Sequence, residues 1–161
     1  MNYSVLLDTS FFIRLLNDED PLHTNARGYF KYFLEQGVIL KISTISIAEY
    51  CVLGSISELP LKNIQILPFN LNHAKRTGEF AKIVFTEKGK TREELKPRTV
   101  IPNDSKLFAQ SDTETSINYF VTSDARSLAI YNILKNETKL NFHIIDINHS
   151  HSEVFGLLDL K

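Results

Sequence analysis

Apolar and polar positions along this chain fall into blocks whose period switches between that of a buried strand and that of a helix. The run Tyr3-Ser4-Val5-Leu6-Leu7 ends at Asp8, the pattern of a strand covered on both faces. A helix is expected at once, with Thr9 or Ser10 as N-cap and Phe11, Phe12, Leu15 and Leu16 at helical spacing. Asp18-Glu19-Asp20-Pro21 breaks it. A second helix fits 23–36, with Ala26, Tyr29, Phe30, Phe33 and Leu34 on one stripe and Gly37 as its stop. Val38 to Ile42 reads as a strand, and a capped helix follows over 43–53. After a connector at 55–63 come a short strand, Ile64 to Leu67, and a helix from about Asn70 to Val84 that turns Leu71, Ala74, Gly78 and Ala81 inward. Pro102-Asn103-Asp104 starts another helix. Tyr119 to Thr122 is a strand leading through Ser123 to Asp124 and a helix with Leu128, Ala129, Ile133 and Leu134 spaced for burial. Phe142 to Ile145 is the last strand, and Val154, Leu157 and Leu158 mark a short terminal helix.

Strand and helix alternating through the whole length predict a mostly parallel sheet with helices on both faces, an α/β/α sandwich. Strand, Asp, helix occurs twice, at Asp8 and at Asp124, so both acids belong at the carboxyl edge of the sheet, where such folds open their ligand crevices. Two further acids are oddly placed for surface residues. Glu49 shares a helix face with Ile45, Val52 and Leu53, and Asp104 lies on the stripe of Leu107 and Phe108. Each has an ordinary explanation: a strand-end Asp caps helices, a Glu stem covers the edge of a core, and an Asp in a first turn suits the helix dipole. Asp112, in the same helix as Asp104, reads as a surface residue. If the four acids meet, they cannot all stay ionised unaided, since two charges about 4 Å apart repel by roughly 4 kcal/mol at an effective dielectric near 20. A divalent cation resolves that conflict, and oxygen ligands without Cys favour Mg²⁺ or Mn²⁺ over Zn²⁺.

Composition narrows the setting. With 161 residues, 43% hydrophobic and 23% charged, the chain suits one globular domain spanning 1–161. A lone cysteine, Cys51, excludes an internal disulfide, and the start MNYSVLLD lacks the basic flank and apolar core of a signal peptide. No run is long enough to span a membrane, so the cytoplasm is the expected compartment. A net charge of −1 and a pI near 6.5 give no field that would draw in nucleic acid unaided. The most basic stretch is 86–98, where Lys88, Lys90, Arg92, Lys96 and Arg98 outnumber Glu87, Glu93 and Glu94. It is either a solvated loop or the place where a phosphate backbone touches. His143, His149 and His151 lack the pattern of a metal site and read as surface residues.

VLLDTSFFIRLLNDEDPLHTNAR, STISIAEY, IPNDSKLFAQS and YFVTSD, in that order, resemble the PIN domain family, most closely its small bacterial members, the VapC-like ribonuclease toxins of type II toxin-antitoxin systems. The likeness covers nearly the whole chain. It implies a PIN-like three-layer sandwich and a metal-dependent endoribonuclease whose catalytic acids are Asp8, Glu49, Asp104 and Asp124. Asp8, Asp104 and Asp124 would be the principal ligands of Mg²⁺ or Mn²⁺, with Ser10 and Thr122 as supporting hydroxyls. It also implies RNA as substrate, a cognate antitoxin as partner and a homodimer, for which Tyr29 and Tyr32 offer either an interface or core packing. Two departures stand out: a longer, more basic insertion at about 86–101 and an extended tail from about Asn148.

Other readings are open on the residues. A haloacid-dehalogenase-type phosphotransferase also begins with a strand-end Asp, but Ser10 stands where its second acid belongs. A response-regulator receiver needs an acidic pair and a late lysine that this chain does not provide. A PIN fold kept as a non-catalytic RNA-binding or protein-binding module is the alternative from a different class, and acids at all four positions argue against it.

Overall fold

The computed structural model describes residues 3–89 and 100–156. Its centre is a five-stranded sheet in the order β3-β2-β1-β4-β5, where β1 is Ser4–Leu7, β2 Ile39–Ser43, β3 Ile64–Leu67, β4 Ile117–Thr122 and β5 His143–Asp146. Every pairing is parallel, so the carboxyl ends of all strands lie along one edge. β1, at the middle, is fully buried, as its unbroken apolar run requires. Successive side chains on it point to opposite faces: Val5 and Leu7 join one core cluster and Leu6 the other.

The first cluster packs α1 (Thr9–Leu15), α2 (His23–Glu35) and α3 (Thr44–Tyr50) against one face, through Phe11, Phe12, Ala26, Tyr29, Phe33 and the partly buried Ile47. The second packs α4 (Leu71–Glu87), α5 (Asn103–Thr113) and α6 (Ala125–Glu137) against the other, through Phe80, Val84, Leu107, Phe108, Ile130 and Leu134. A short α7 (His151–Val154) lies beside α2. The connector between α3 and β3 is wound into two 3₁₀ turns, Ile56–Glu58 and Leu61–Asn63. The chain is thus an α/β/α sandwich with an all-parallel sheet. Among the described residues no helix is long and apolar enough to cross a membrane.

Several helix faces differ from the periodicity reading, each for a local reason. The cap of α1 is Asp8, whose carboxylate accepts from the Thr9 amide, and not Thr9 or Ser10. In α4 the inward row is His73, Thr77, Phe80, Ala81 and Val84, while Leu71, Ala74 and Gly78 face solvent. A reciprocal cap sets that rotation: Asn70 Oδ1 accepts from the His73 amide and His73 Nδ1 accepts from the Asn70 amide. His73 Nε2 is then left to donate to Glu114 at 2.8 Å. In α6 the buried row is Ser127, Ile130, Tyr131 and Leu134, with Ala129 outside and Leu128 and Ile133 at its margin. Leu16 and Leu34 are exposed at the ends of α1 and α2. Tyr29 lies in the core with its hydroxyl donating to the His149 carbonyl, and Tyr32 stacks on Phe155 at 4.8 Å; Tyr29 is core packing and offers no interface.

Asp112 is the largest departure. It is 5% exposed, not a surface residue. Arg76 Nε donates to its Oδ2 and the Asn141 amide to its Oδ1, each at 2.8 Å. The group ties α4, α5 and the approach to β5 together, and Arg76 also lies 4.4 Å above the Phe80 ring. Val154 is exposed; Leu157 and Leu158, like most of the 86–101 insertion, fall outside the described residues.

Candidate active site

The carboxyl ends of β1 and β4 are neighbours, and each is followed directly by an acid that caps the next helix. Asp8 caps α1 and Asp124 caps α6, accepting from the Arg126 amide at 2.9 Å. Both caps are the ordinary reason for an Asp at these positions. They also fix two carboxylates at the same edge. Asp104 enters from the first turn of α5 and Glu49 from the last turn of α3. All four acids, with Thr9, Ser10, Ile13, Asn103 and Arg126, line one pocket of about 190 Å³.

Asp8 is held most tightly. Its Oδ1 accepts from the Thr9 amide, and its Oδ2 accepts from the Ser10 and Thr122 hydroxyls, all at 2.8 Å. Those hydroxyls in turn accept from the Ser123 and Asp124 amides at 3.0 Å. The two strand-helix junctions are therefore stitched together through the side chains expected to support the site. At 6% exposure, burial pushes the Asp8 carboxyl up to about 6; the hydroxyls of Thr122 and Ser10 pull against that, and the charge of Asp104 adds to it.

Asp104 is equally buried. The Ser127 hydroxyl donates to its Oδ1 at 2.6 Å, and Arg126 Nε lies 3.4 Å from its Oδ2. A second guanidinium nitrogen of Arg126 is 4.0 Å from Asp124 Oδ2. Glu49 is half-buried and accepts from the Thr9 hydroxyl at 3.0 Å. Its burial does not come from Val52 and Leu53, which follow the end of α3 and are exposed; Thr9 draws it to the pocket. On the other side of Glu49 is an open apolar groove of about 650 Å³, lined by Ile13, Leu16, Tyr50, Val52 and Leu53 among others.

Asp8, Ser10, Glu49, Asp104 and Asp124 thus line one pocket, with Thr122 bonded to Asp8 behind it. Four contributors were not anticipated: Thr9, Asn103, Arg126 and Ser127. Arg126 and Ser127 follow Asp124 by two and three residues, so a helix starting at Asp124 necessarily places them near the same edge. Lys88 is exposed at the end of α4 and lines no part of the pocket, whereas Lys90, Arg92, Lys96 and Arg98 lie outside the described residues.

Among the described residues no three His, Cys, Asp or Glu side chains are grouped closely enough to hold a metal ion as they stand. The donor set nevertheless suits a hard cation: its charged oxygens are all carboxylate, two of those carboxylates are buried, and a guanidinium already serves as positive charge between Asp104 and Asp124.

No protein-family model matches this sequence, and no curated protein does. Solved structures do. VapBC2 from Rickettsia felis, solved bound to a DNA fragment from its promoter, is 18% identical over 88% of this chain and 97% of its own, with a TM-score of 0.60. FitAcB from Neisseria gonorrhoeae is 16% identical over 90% and 99%, with a TM-score of 0.60. DNA-bound VapBC from Salmonella typhimurium is 18% identical over 90% and 98%, with a TM-score of 0.56. At these identities the likeness is one of fold: the chain has the VapC-like PIN fold.

Proposed function

We propose that this protein is a Mg²⁺- or Mn²⁺-dependent endoribonuclease that hydrolyses RNA phosphodiester bonds, and that it acts as the toxin of a toxin-antitoxin pair. The observation that carries the reading is the pocket in which Asp8, Glu49, Asp104 and Asp124 meet from four separate segments. Capping accounts for Asp8 and Asp124 at this edge, but not for Glu49 and the buried Asp104 entering the same pocket. RNA as substrate rests on the resemblance to PIN-domain ribonucleases, as does the antitoxin. The fold shared with the VapBC and FitAcB structures supports that placement, and the apolar groove beside Glu49 gives a partner protein access to the site.

Asp8, Asp104 and Asp124 would hold the ion, which when bound would neutralise charge on the phosphate and activate a water for attack. The protein's own part is to fix the donors. Ser10 and Thr122 orient Asp8 from behind, Ser127 does the same for Asp104, and Thr9 holds Glu49 with one oxygen free to orient the attacking water. Asp8, taken up to about 6 by burial, must give up that proton to take an ion, so the affinity for Mn²⁺ should rise with pH up to about this value.

The direct test is cleavage of a pool of short RNAs with Mn²⁺ in ¹⁸O-labelled water. Attack by water places ¹⁸O in the product phosphate and leaves no cyclic phosphate. A 2′,3′-cyclic product would contradict the mechanism. Binding of RNA without any cleavage would favour the non-catalytic PIN module.

A further inference from the structure

Among the described residues, Arg126 is the one cationic side chain lining the pocket. Its position is set by the fold: its amide donates to Asp124 Oδ1 at 2.9 Å, and it stands in the first turn of α6, one residue before the serine that holds Asp104. Its guanidinium reaches back over the pocket, with Nε 3.4 Å from Asp104 Oδ2 and another nitrogen 4.0 Å from Asp124 Oδ2. Unlike the buried Asp104, the Arg126 side chain is 72% exposed. Arg14 and Arg76, by contrast, are tied to Asp20 and to Asp112 and Glu79 at 2.7–2.8 Å.

Resting on the metal-dependent reading above, we infer that Arg126 is the site's own counter-cation: it holds Asp104 and Asp124 while no divalent ion is bound and leaves them when one binds. Two carboxylates proposed as ligands have a positive partner already, and a divalent ion at the same oxygens would repel it. The contact is long and the side chain exposed, so it changes an equilibrium by only about two- to fivefold. That is enough to keep the acids in place and too little to shut out a divalent ion. Once released, the guanidinium stays at the rim of the pocket through its backbone anchor and is free to take two phosphate oxygens of the RNA in a bidentate contact. The residue thus couples ion loading to substrate binding.

The test uses the full chain without RNA at constant pH and low salt. Mn²⁺ affinity is measured by calorimetry for wild type, Arg126→Gln and Arg126→Lys. The expected result is about two- to fivefold tighter binding by the Gln variant and near-wild-type binding by the Lys variant. In wild type, the Arg126 Nε–H resonance is followed during the same titration, a readout that needs no variant to fold. It should shift as Mg²⁺ is added and keep its metal-free position in Asp104→Asn. Equal or weaker Mn²⁺ binding by Arg126→Gln, or an Arg126 signal that ignores Mg²⁺, would overturn the inference while leaving the nuclease reading intact. A wild-type protein that binds no divalent ion would overturn both.

Discussion

Replacing Asp8 by Asn reports on the electrostatic state of the site independently of catalysis. Burial raises the Asp8 carboxyl from 3.8 to about 6, so the folded chain holds that proton more tightly than the unfolded chain does. The stability this brings is complete below about pH 3.8 and is lost as pH rises through about 6. Above that, folding carries the cost of an ionised buried carboxylate, roughly 3 kcal/mol for a difference of this size. Asn removes the charge and keeps the shape. It also puts a donor where Oδ2 accepts from Ser10 and Thr122, and turning those hydroxyls forfeits about 1–1.5 kcal/mol. Asp8→Asn should therefore be more stable than wild type by about 1.5–2 kcal/mol at pH 8, or roughly 3–8 °C in Tm for a chain of this length. Near pH 4 the order should reverse. The assay is urea and thermal unfolding by circular dichroism with chelator present, at several pH values from 4 to 8. Adding Mn²⁺ should then stabilise wild type more than the variant, which lacks one of the three proposed carboxylate ligands. A variant less stable than wild type at pH 8, or a difference that does not vary with pH, would mean that burial does not raise the Asp8 carboxyl.

Ser127→Ala removes the hydroxyl that donates to Asp104 at 2.6 Å; Mn²⁺ affinity measured by calorimetry should fall about tenfold, with the fold intact by circular dichroism. Asp112→Ala removes the buried acceptor of the Asn141 amide and of the Arg76 guanidinium, which keeps Glu79, and should cost about 1–3 kcal/mol in urea unfolding. Because Asp112 lies apart from the pocket, Mn²⁺ affinity of the folded fraction should be unchanged, which separates a structural acid from a site acid.

The sandwich was legible because short apolar runs such as Val5-Leu6-Leu7 and Tyr119-Phe120-Val121 alternate with longer stretches of helical spacing bounded by cap and turn residues. Asp8, Asp104 and Asp124 were legible because each stands at a recognisable helix start, whereas Glu49, in the last turn of α3, has no such marker. Helix rotation was less so. In α4, alanine and glycine spacing suggested one face, but the cap between Asn70 and His73 selects another, and the buried row contains a histidine and a threonine that hydropathy does not count as core. Asp112 was misread for a related reason: its partners, Arg76 and Asn141, are 36 and 29 residues away, and a charge buried by distant partners leaves no local trace. Thr9 and Ser127 were missed because a small hydroxyl residue in a first helical turn has an ordinary explanation there; only the fold reveals that their hydroxyls hold Glu49 and Asp104 instead.

The central claim is that four acids from separate segments form one hydrolytic site. It is tested most directly by Mn²⁺-dependent cleavage of a mixed RNA pool by wild type, by wild type with chelator, and by Asp8→Asn, Glu49→Gln, Asp104→Asn and Asp124→Asn. Wild type without chelator should cleave, and every folded variant should be slower by about a hundredfold or more. Cleavage that persists in chelator, or in folded Asp104→Asn at the wild-type rate, would contradict that claim.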